Sequence, residues 1–309
     1  MPSDQSAPTH DKKTQITLIG ADGRLGGVLL GELVTGGYQV TGLTLSDLDI
    51  TDAERVAVTL ERLRPDVIVN CSAYNAVDAA EDHPSAAFAV NATGPSVLAD
   101  AADATGALLV HFSTDFVFDG RAREPYREDA SPNPLGVYGQ SKLAGEEAVR
   151  KSRRHYICRL ESLFGGSGFQ GHQATIDQIA DRILDSRVVR AIADRTVSPS
   201  YAVDVAVATR RLIEIGAPYG VYHCVNSGYT TWIDLAHEVA RELGVLPQIE
   251  PILSADLHAV APRPLFCALS NDKLLGVGIQ IPTWQSAVRR HLAPRSAAAR
   301  RGARESPPR

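Results

Sequence analysis

Hydrophobic positions in the first half of the chain follow two alternating rhythms. Gln15 to Gly20 is a short apolar run; Leu25 to Thr35 then places apolar residues at helical spacing until Gly36 and Gly37 stop it. The same alternation predicts a strand at Tyr38 to Thr44, a helix from Asp52 to Leu63 and a strand at Asp66 to Cys71. A helical stretch from Ser85 to Ala104 precedes a fourth strand at Leu108 to Phe112, and a helix from Gly136 to Arg150 precedes a fifth at Tyr156 to Leu160. These strands are nearly continuous apolar runs, as burial on both faces requires. The fold class is therefore α/β, a doubly wound parallel sheet.

The second half is less regular. Helices are expected at Gln173 to Asp185, Val203 to Ile215 and Thr231 to Leu243, the last with an N-capping Thr and a stop at Gly244. Short strands at Val188 to Ala193 and Gly220 to Val225 can extend the sheet, and Pro247 to Leu275 reads as Pro-rich and irregular.

Charge narrows the partners. The net charge of -5 includes a basic tail in which Arg295, Arg300, Arg301, Arg304 and Arg309 face only Glu305, so the body is more acidic still. That argues against nucleic acid as a partner. No run approaches the roughly 20 apolar residues of a membrane helix, and Met1 to Thr14 lacks an apolar signal core, so a cytoplasmic protein without a membrane partner is expected. The four cysteines, Cys71, Cys158, Cys224 and Cys267, form no CxxC pair and are expected to be reduced. The nine histidines show no HxxxH or HxH pair, so no metal site is expected.

Candidate chemistry begins at the first turn. Gly20-Ala-Asp22-Gly23-Arg24-Leu25-Gly26 joins the first strand to the first helix. Missing side chains there let a pyrophosphate approach the backbone, and a helix N-terminus offers free N–H groups. A dinucleotide is the expected ligand. At the end of the second strand stand Thr44, Leu45 and Ser46, neither the acid that suits NAD nor a base that suits NADP. Arg24 can reach a 2′-phosphate, which favours NADPH, with NADH as the alternative.

Tyr138 and Lys142 lie four residues apart, on one face near the start of a helix. A free Tyr titrates near 10, so a neighbouring ammonium is expected to lower the cost of donating its proton. Lys142 also suits the ribose hydroxyls of a nicotinamide cofactor, with Tyr138 protonating a carbonyl oxygen. Ser113-Thr114-Asp115 follows the fourth strand, at the edge where doubly wound sheets bind ligands. Thr114 can hydrogen-bond the reacting oxygen.

Taken together, these pieces make the chain resemble the extended short-chain dehydrogenases, and most closely the dTDP-4-dehydrorhamnose reductase family, over roughly Ile16 to Leu292. Its marks are Gly20 to Gly26, Leu48 to Asp52, Arg64 to Asn70, Ala76 to Asp78, Val90-Asn91, Ser113 to Gly120, Pro132 to Glu146 and Arg263-Pro264. The resemblance implies a catalytic set of Thr114, Tyr138 and Lys142. It implies cofactor contacts at the glycine turn and at Asp49, Ile50, Cys71, Ser72, Ala73, Tyr74 and Asn91, with Asp49 meeting the adenine.

On the substrate side the family usually has Tyr after Ser-Thr-Asp and a Trp on the later strand; here these are Phe116 and Ser162. The expected substrate is a dTDP-linked 4-keto-6-deoxyhexose of a kind used in antibiotic biosynthesis, touched by Thr114, Asp115, Phe116, Ser162, Ser198 and Arg263. The expected division is a Rossmann domain at 15–164, a substrate cap at 165–187 and 247–282, and returning segments at 188–246 and 283–293. Residues 1–14 and 294–309 are expected to be disordered, and a homodimer is a candidate assembly. The rival readings are an epimerase that keeps its NAD bound and a non-catalytic NADP-binding regulatory subunit. Dehydratase chemistry lacks its acid, because Phe116 stands where such enzymes carry Glu.

Overall fold

The computed structural model describes residues 13–167 and 172–305. Most of the expected unstructured N-terminus (1–12) and the last four residues of the tail (306–309) lie outside the described residues. The first half runs β1 (Gln15–Ile19), α1 (Arg24–Thr35), β2 (Gln39–Leu43), α2 (Ala53–Leu63), β3 (Val67–Asn70), α3 (Val77–Asp82), α4 (Pro84–Phe88), α5 (Gly94–Thr105), β4 (Leu108–Thr114), α6 (Val137–Val149) and β5 (His155–Leu160). There follow β6 (Leu163–Phe164), α7 (Thr175–Leu184), β7 (Val189–Ile192), β8 (Thr196–Val197), β9 (Ser200–Tyr201), α8 (Ala202–Glu214) and β10 (Gly220–His223). The chain ends with β11 (Thr230–Thr231), α9 (Trp232–Leu243), β12 (Ile249–Ile252), α10 (Asp272–Gly276) and α11 (Trp284–Glu305).

Six strands form one parallel sheet in the order β10-β5-β4-β3-β1-β2. Successive residues of a strand point to opposite faces, and both faces are filled. Val67, Val69, Leu108 and Val110 pack with Leu25, Leu29 and Leu33 of α1 and with α8 on one side. Ile68 and Leu109 pack with Val56, Leu60, Leu98 and Ala102 of α2 and α5 on the other. This is the arrangement that the continuous apolar runs predict.

Between α4 and α5 the helix widens into one π turn, Ala89–Thr93. Pro95 has no N–H to close the ordinary bond to the Asn91 carbonyl, and that carbonyl instead lies against α6, where a Cβ on Gly145 would be 2.1 Å from it.

The second half differs from expectation in three places. β7 does not extend the main sheet; it pairs in parallel with β12, a strand in the segment read as irregular. Helix α9 does not return to the main sheet. It packs Leu235, Val239 and Leu243 against Ile179 and Ile183 of α7 and Val288 and Leu292 of α11, in a second apolar core. Finally, α11 continues through Pro294 to Glu305 where a disordered tail was expected. Its Ala and Arg residues are good helix formers, and Arg295 reaches Asp177 at 3.2 Å and Asp181 at 2.9 Å on α7.

Candidate active site

The order of the main sheet reverses at β1, whose neighbours β2 and β3 both follow it, so the loops after β1 and β3 diverge and leave a crevice. A cavity of about 710 Å³ occupies it. Gly23, Arg24 and Leu25 line it from the first turn, and Cys71, Ser72 and Ala73 from the loop after β3. Ser113 to Phe116 line it from the end of β4, Tyr138 and Lys142 from α6, and Leu160 to Leu163 from the end of β5.

The glycine turn is tight because only glycine fits it. Gly20 has φ +77°, and a Cβ on Gly26 would sit 2.0 Å from the Gly20 carbonyl oxygen. Gly23 is the N-cap of α1 and no side chain caps the helix, so its first N–H groups stay free beside the cavity. This cradle fits the pyrophosphate of a dinucleotide.

Tyr138 and Lys142 share the cavity, both buried. Gly139 lets α6 approach, since a Cβ there would be 2.3 Å from the Phe116 carbonyl. The Tyr138 hydroxyl faces Asn75 Oδ1 at 3.5 Å, and its ring meets Phe116 edge-on at 5.5 Å. The Tyr138 phenol is not shifted in the direction that the spacing suggested. Burial, then the Asp115 charge, raises the Tyr138 phenol above its ordinary range, while Thr114 opposes the rise. The Lys142 ammonium donates instead to the Phe112 carbonyl at 2.6 Å, and burial brings its pKa down to about 8 against the charge of Glu146.

Thr114 and Asp115 stand at the cavity floor, with the Thr114 hydroxyl donating to Asp115 Oδ1 at 3.0 Å. Burial raises the Asp115 carboxyl to about 6, with the Arg195 charge opposing. Glu161 lines the same wall and is raised well above the carboxylate range, first by burial and then by Asp115. Arg195 lies over the Phe116 ring, 5.4 Å from its centroid. The sequence reading missed Glu161, Arg195 and Asn75; its one usable signal was an acid, Glu161, directly after an apolar strand.

Other expected contacts are placed differently. Asn91 is fully buried and clamps the loop after β3: its amide accepts from the Tyr74 N–H at 2.8 Å and donates to the Tyr74 carbonyl at 3.0 Å and to Ser141 Oγ at 3.0 Å. Ile50 packs in the core under α5, and the exposed Asp49 carboxylate accepts from Thr51. Asp22 is exposed at the turn. Arg24 lines the cavity, yet its guanidinium donates to the carbonyls of Gly165, Gly166 and His172 rather than standing free for a phosphate. Ser198 is buried behind the cavity, its N–H donating to the Glu161 carboxylate and its hydroxyl accepting from Leu269. Arg263 makes a two-pronged pair with Asp78 at 2.9 and 2.8 Å, so its charge is already matched. Ser162 and Phe116 do line the cavity.

A parallel sheet with a glycine turn at its switch point and a buried Tyr and Lys on one helix defines an extended short-chain dehydrogenase/reductase. The chain belongs to the family described as the RmlD substrate binding domain, matched over residues 14–296. It is 38% identical over 282 residues to a dTDP-4-dehydrorhamnose reductase of Streptomyces griseus, covering 87% of this chain and 90% of that protein. It is 35% identical over 279 residues to a probable dTDP-4,6-dihydroxy-2-methyloxan-3-one 4-ketoreductase of Streptomyces antibioticus, covering 88% and 92%. The crystal structure of a Bacillus anthracis dTDP-4-dehydrorhamnose reductase in complex with NADP superposes with a TM-score of 0.87 at 30% identity, covering 92% of this chain and all of that one.

Proposed function

We propose that this protein reduces the 4-keto group of a dTDP-linked 6-deoxyhexose with NADPH. One observation carries the reading: the free N-terminus of α1 and the Thr114, Tyr138 and Lys142 side chains face one cavity at the switch point of the sheet. Bound nicotinamide supplies the two electrons of the reduction. The rest falls to the chain. The glycine turn and the α1 N–H groups hold the pyrophosphate, and Lys142 holds the ribose.

Tyr138 donates the proton to the carbonyl oxygen, and the burial that raises its pKa keeps that proton in place at neutral pH. The Thr114 hydroxyl turns from Asp115 to the same oxygen. Phe116 and Ser162 shape the sugar side. The compartment is the cytoplasm.

The test is to incubate the purified protein with NADPH and a panel of dTDP-4-keto-6-deoxyhexoses. Cofactor oxidation with at least one sugar is expected. Tight NADPH binding with no oxidation by any sugar refutes the reading.

A further inference from the structure

The reductase chemistry leaves one feature of the cavity unused. Asp115 and Glu161 both line it, and each is about 97% or more buried. One oxygen of each, Asp115 Oδ2 and Glu161 Oε1, has no hydrogen-bond partner among the described residues. One oxygen of each carboxylate and the Cys267 sulfur lie within 4.8 Å of one another. Buried acceptors without partners are costly, and two like charges at such range are more so.

The nearby cation does not resolve this. Arg195 spends Nη2 on the Cys267 sulfur at 3.9 Å, its Nε has no partner among the described residues, and it makes no salt bridge to either carboxylate. With the thiol neutral, two acids face one guanidinium, so the second carboxylate charge is balanced only by a proton, which an entering cation can replace. Arg195 and Cys267 do not line the cavity, whereas both acids do. The missing partner therefore enters from the substrate side. A sugar hydroxyl can give one donor and no charge; an ammonium gives three donors and the charge.

We infer that the Asp115–Glu161 pair is a recognition site for an amino group on the sugar, on the ring carbon next to the carbonyl, so that the substrate class is a dTDP-linked amino-deoxy-4-ketohexose. This rests on the reductase reading. The position on the ring follows from Thr114: its hydroxyl, proposed to meet the carbonyl oxygen, is 3.0 Å from Asp115 Oδ1. The Ser198 backbone N–H holds the other Glu161 oxygen, so only the unpartnered one is left to accept from an entering donor. Before substrate arrives, a proton shared by the two acids relieves their repulsion, in keeping with the raised pKa of each.

The experiment compares kcat/KM for two dTDP-4-keto-6-deoxyhexoses bearing an amino or a hydroxyl group next to the carbonyl. The wild-type protein is expected to favour the amino sugar by about tenfold or more, the worth of one charge-assisted contact. Glu161→Gln, which keeps shape and removes charge, is expected to erase that ratio, and Glu161→Asp to restore part of it. A wild-type ratio at or below one, or a ratio unchanged in Glu161→Gln, overturns the inference and leaves the reductase reading intact. Adding EDTA is expected to leave the ratio unchanged; a preference that vanishes on chelation assigns the pair to a divalent cation and also overturns it. If neither sugar is reduced, the full panel of dTDP-4-keto-6-deoxyhexoses decides the reductase reading separately. Calorimetric binding of the amino and hydroxy dTDP-sugars to the NADP-loaded protein then decides the site, equal affinities refuting it.

Discussion

Replacing Gly26 with Ala tests whether the first turn is a cofactor cradle or only a bend. The added Cβ would lie 2.0 Å from the Gly20 oxygen, 2.9 Å from its carbonyl carbon and 3.0 Å from Ala21 Cα, all backbone atoms that no rotamer change can move. Ordinary contact begins near 3.4 Å, so α1 and the turn must separate by about 1.4 Å. A displacement of about 1 Å in a positioning element costs on the order of 100-fold, or about 2.7 kcal/mol. Gly31→Ala, in the same helix, is the control. A Cβ there meets nothing within 4 Å, so it is expected to stabilise the helix by about 1 kcal/mol and raise Tm by about 2 °C. NADPH affinity is read by fluorescence titration, and Tm by calorimetry. Gly26→Ala is expected to lose affinity about 100-fold while Gly31→Ala keeps it. Wild-type affinity in Gly26→Ala would show that the turn does not carry the pyrophosphate.

Other predictions follow from the same geometry. Tyr138→Phe removes the proton donor and is expected to lower kcat by about 100-fold or more while NADPH still binds; full turnover refutes its role. Lys142 is charged below its pKa of about 8 and neutral above it, so kcat/KM is expected to fall as pH rises through that value, read from a pH–rate profile. A flat profile from pH 7 to about 9.5 would refute the assignment of Lys142. Arg159 is fully buried and bonded to Glu146 at 2.8 and 2.7 Å, so Glu146→Ala strands a charge. A loss of about 3–5 kcal/mol in urea unfolding is expected, largely recovered in the Glu146→Leu/Arg159→Met double variant. Arg263→Ala and Asp78→Ala are expected to raise KM equally, because the two act as one clamp; a much larger effect at Arg263 would show direct contact with substrate.

How far the fold was legible depended on how local its causes were. Strands β1, β3, β4 and β5 are buried on both faces, so each writes a continuous apolar run into its own sequence. Strand β12 does not. It carries Glu250 and Pro251, both exposed, and exists because Ile249 to Ile252 align with Val189 to Ile192, about sixty residues earlier. The C-terminal helix is a similar case. A segment of Ala, Arg and Ser reads equally as a disordered end and as a helix, and the contact that favours the helix, Arg295 with Asp181, spans 114 residues.

The site divides along the same line. Tyr138 and Lys142 were visible because an i, i+4 spacing is itself the geometry, and Thr114 because it ends a strand that announces itself. A residue type states what a side chain can do, whereas its partner decides whether it is free to do it. Arg263 and Ser198 have suitable chemistry for a nucleotide, but Asp78 matches one and Glu161 and Leu269 engage the other. The converse holds for Asp115 and Glu161. They are 46 positions apart in the chain, and only folding makes them neighbours without enough donors. Spacing put Tyr138 beside a lysine and so predicted an easier proton; burial in the folded chain raised its pKa instead. That reversal makes the proton of Tyr138 well held until a carbonyl oxygen, gaining charge as it is reduced, becomes the stronger base.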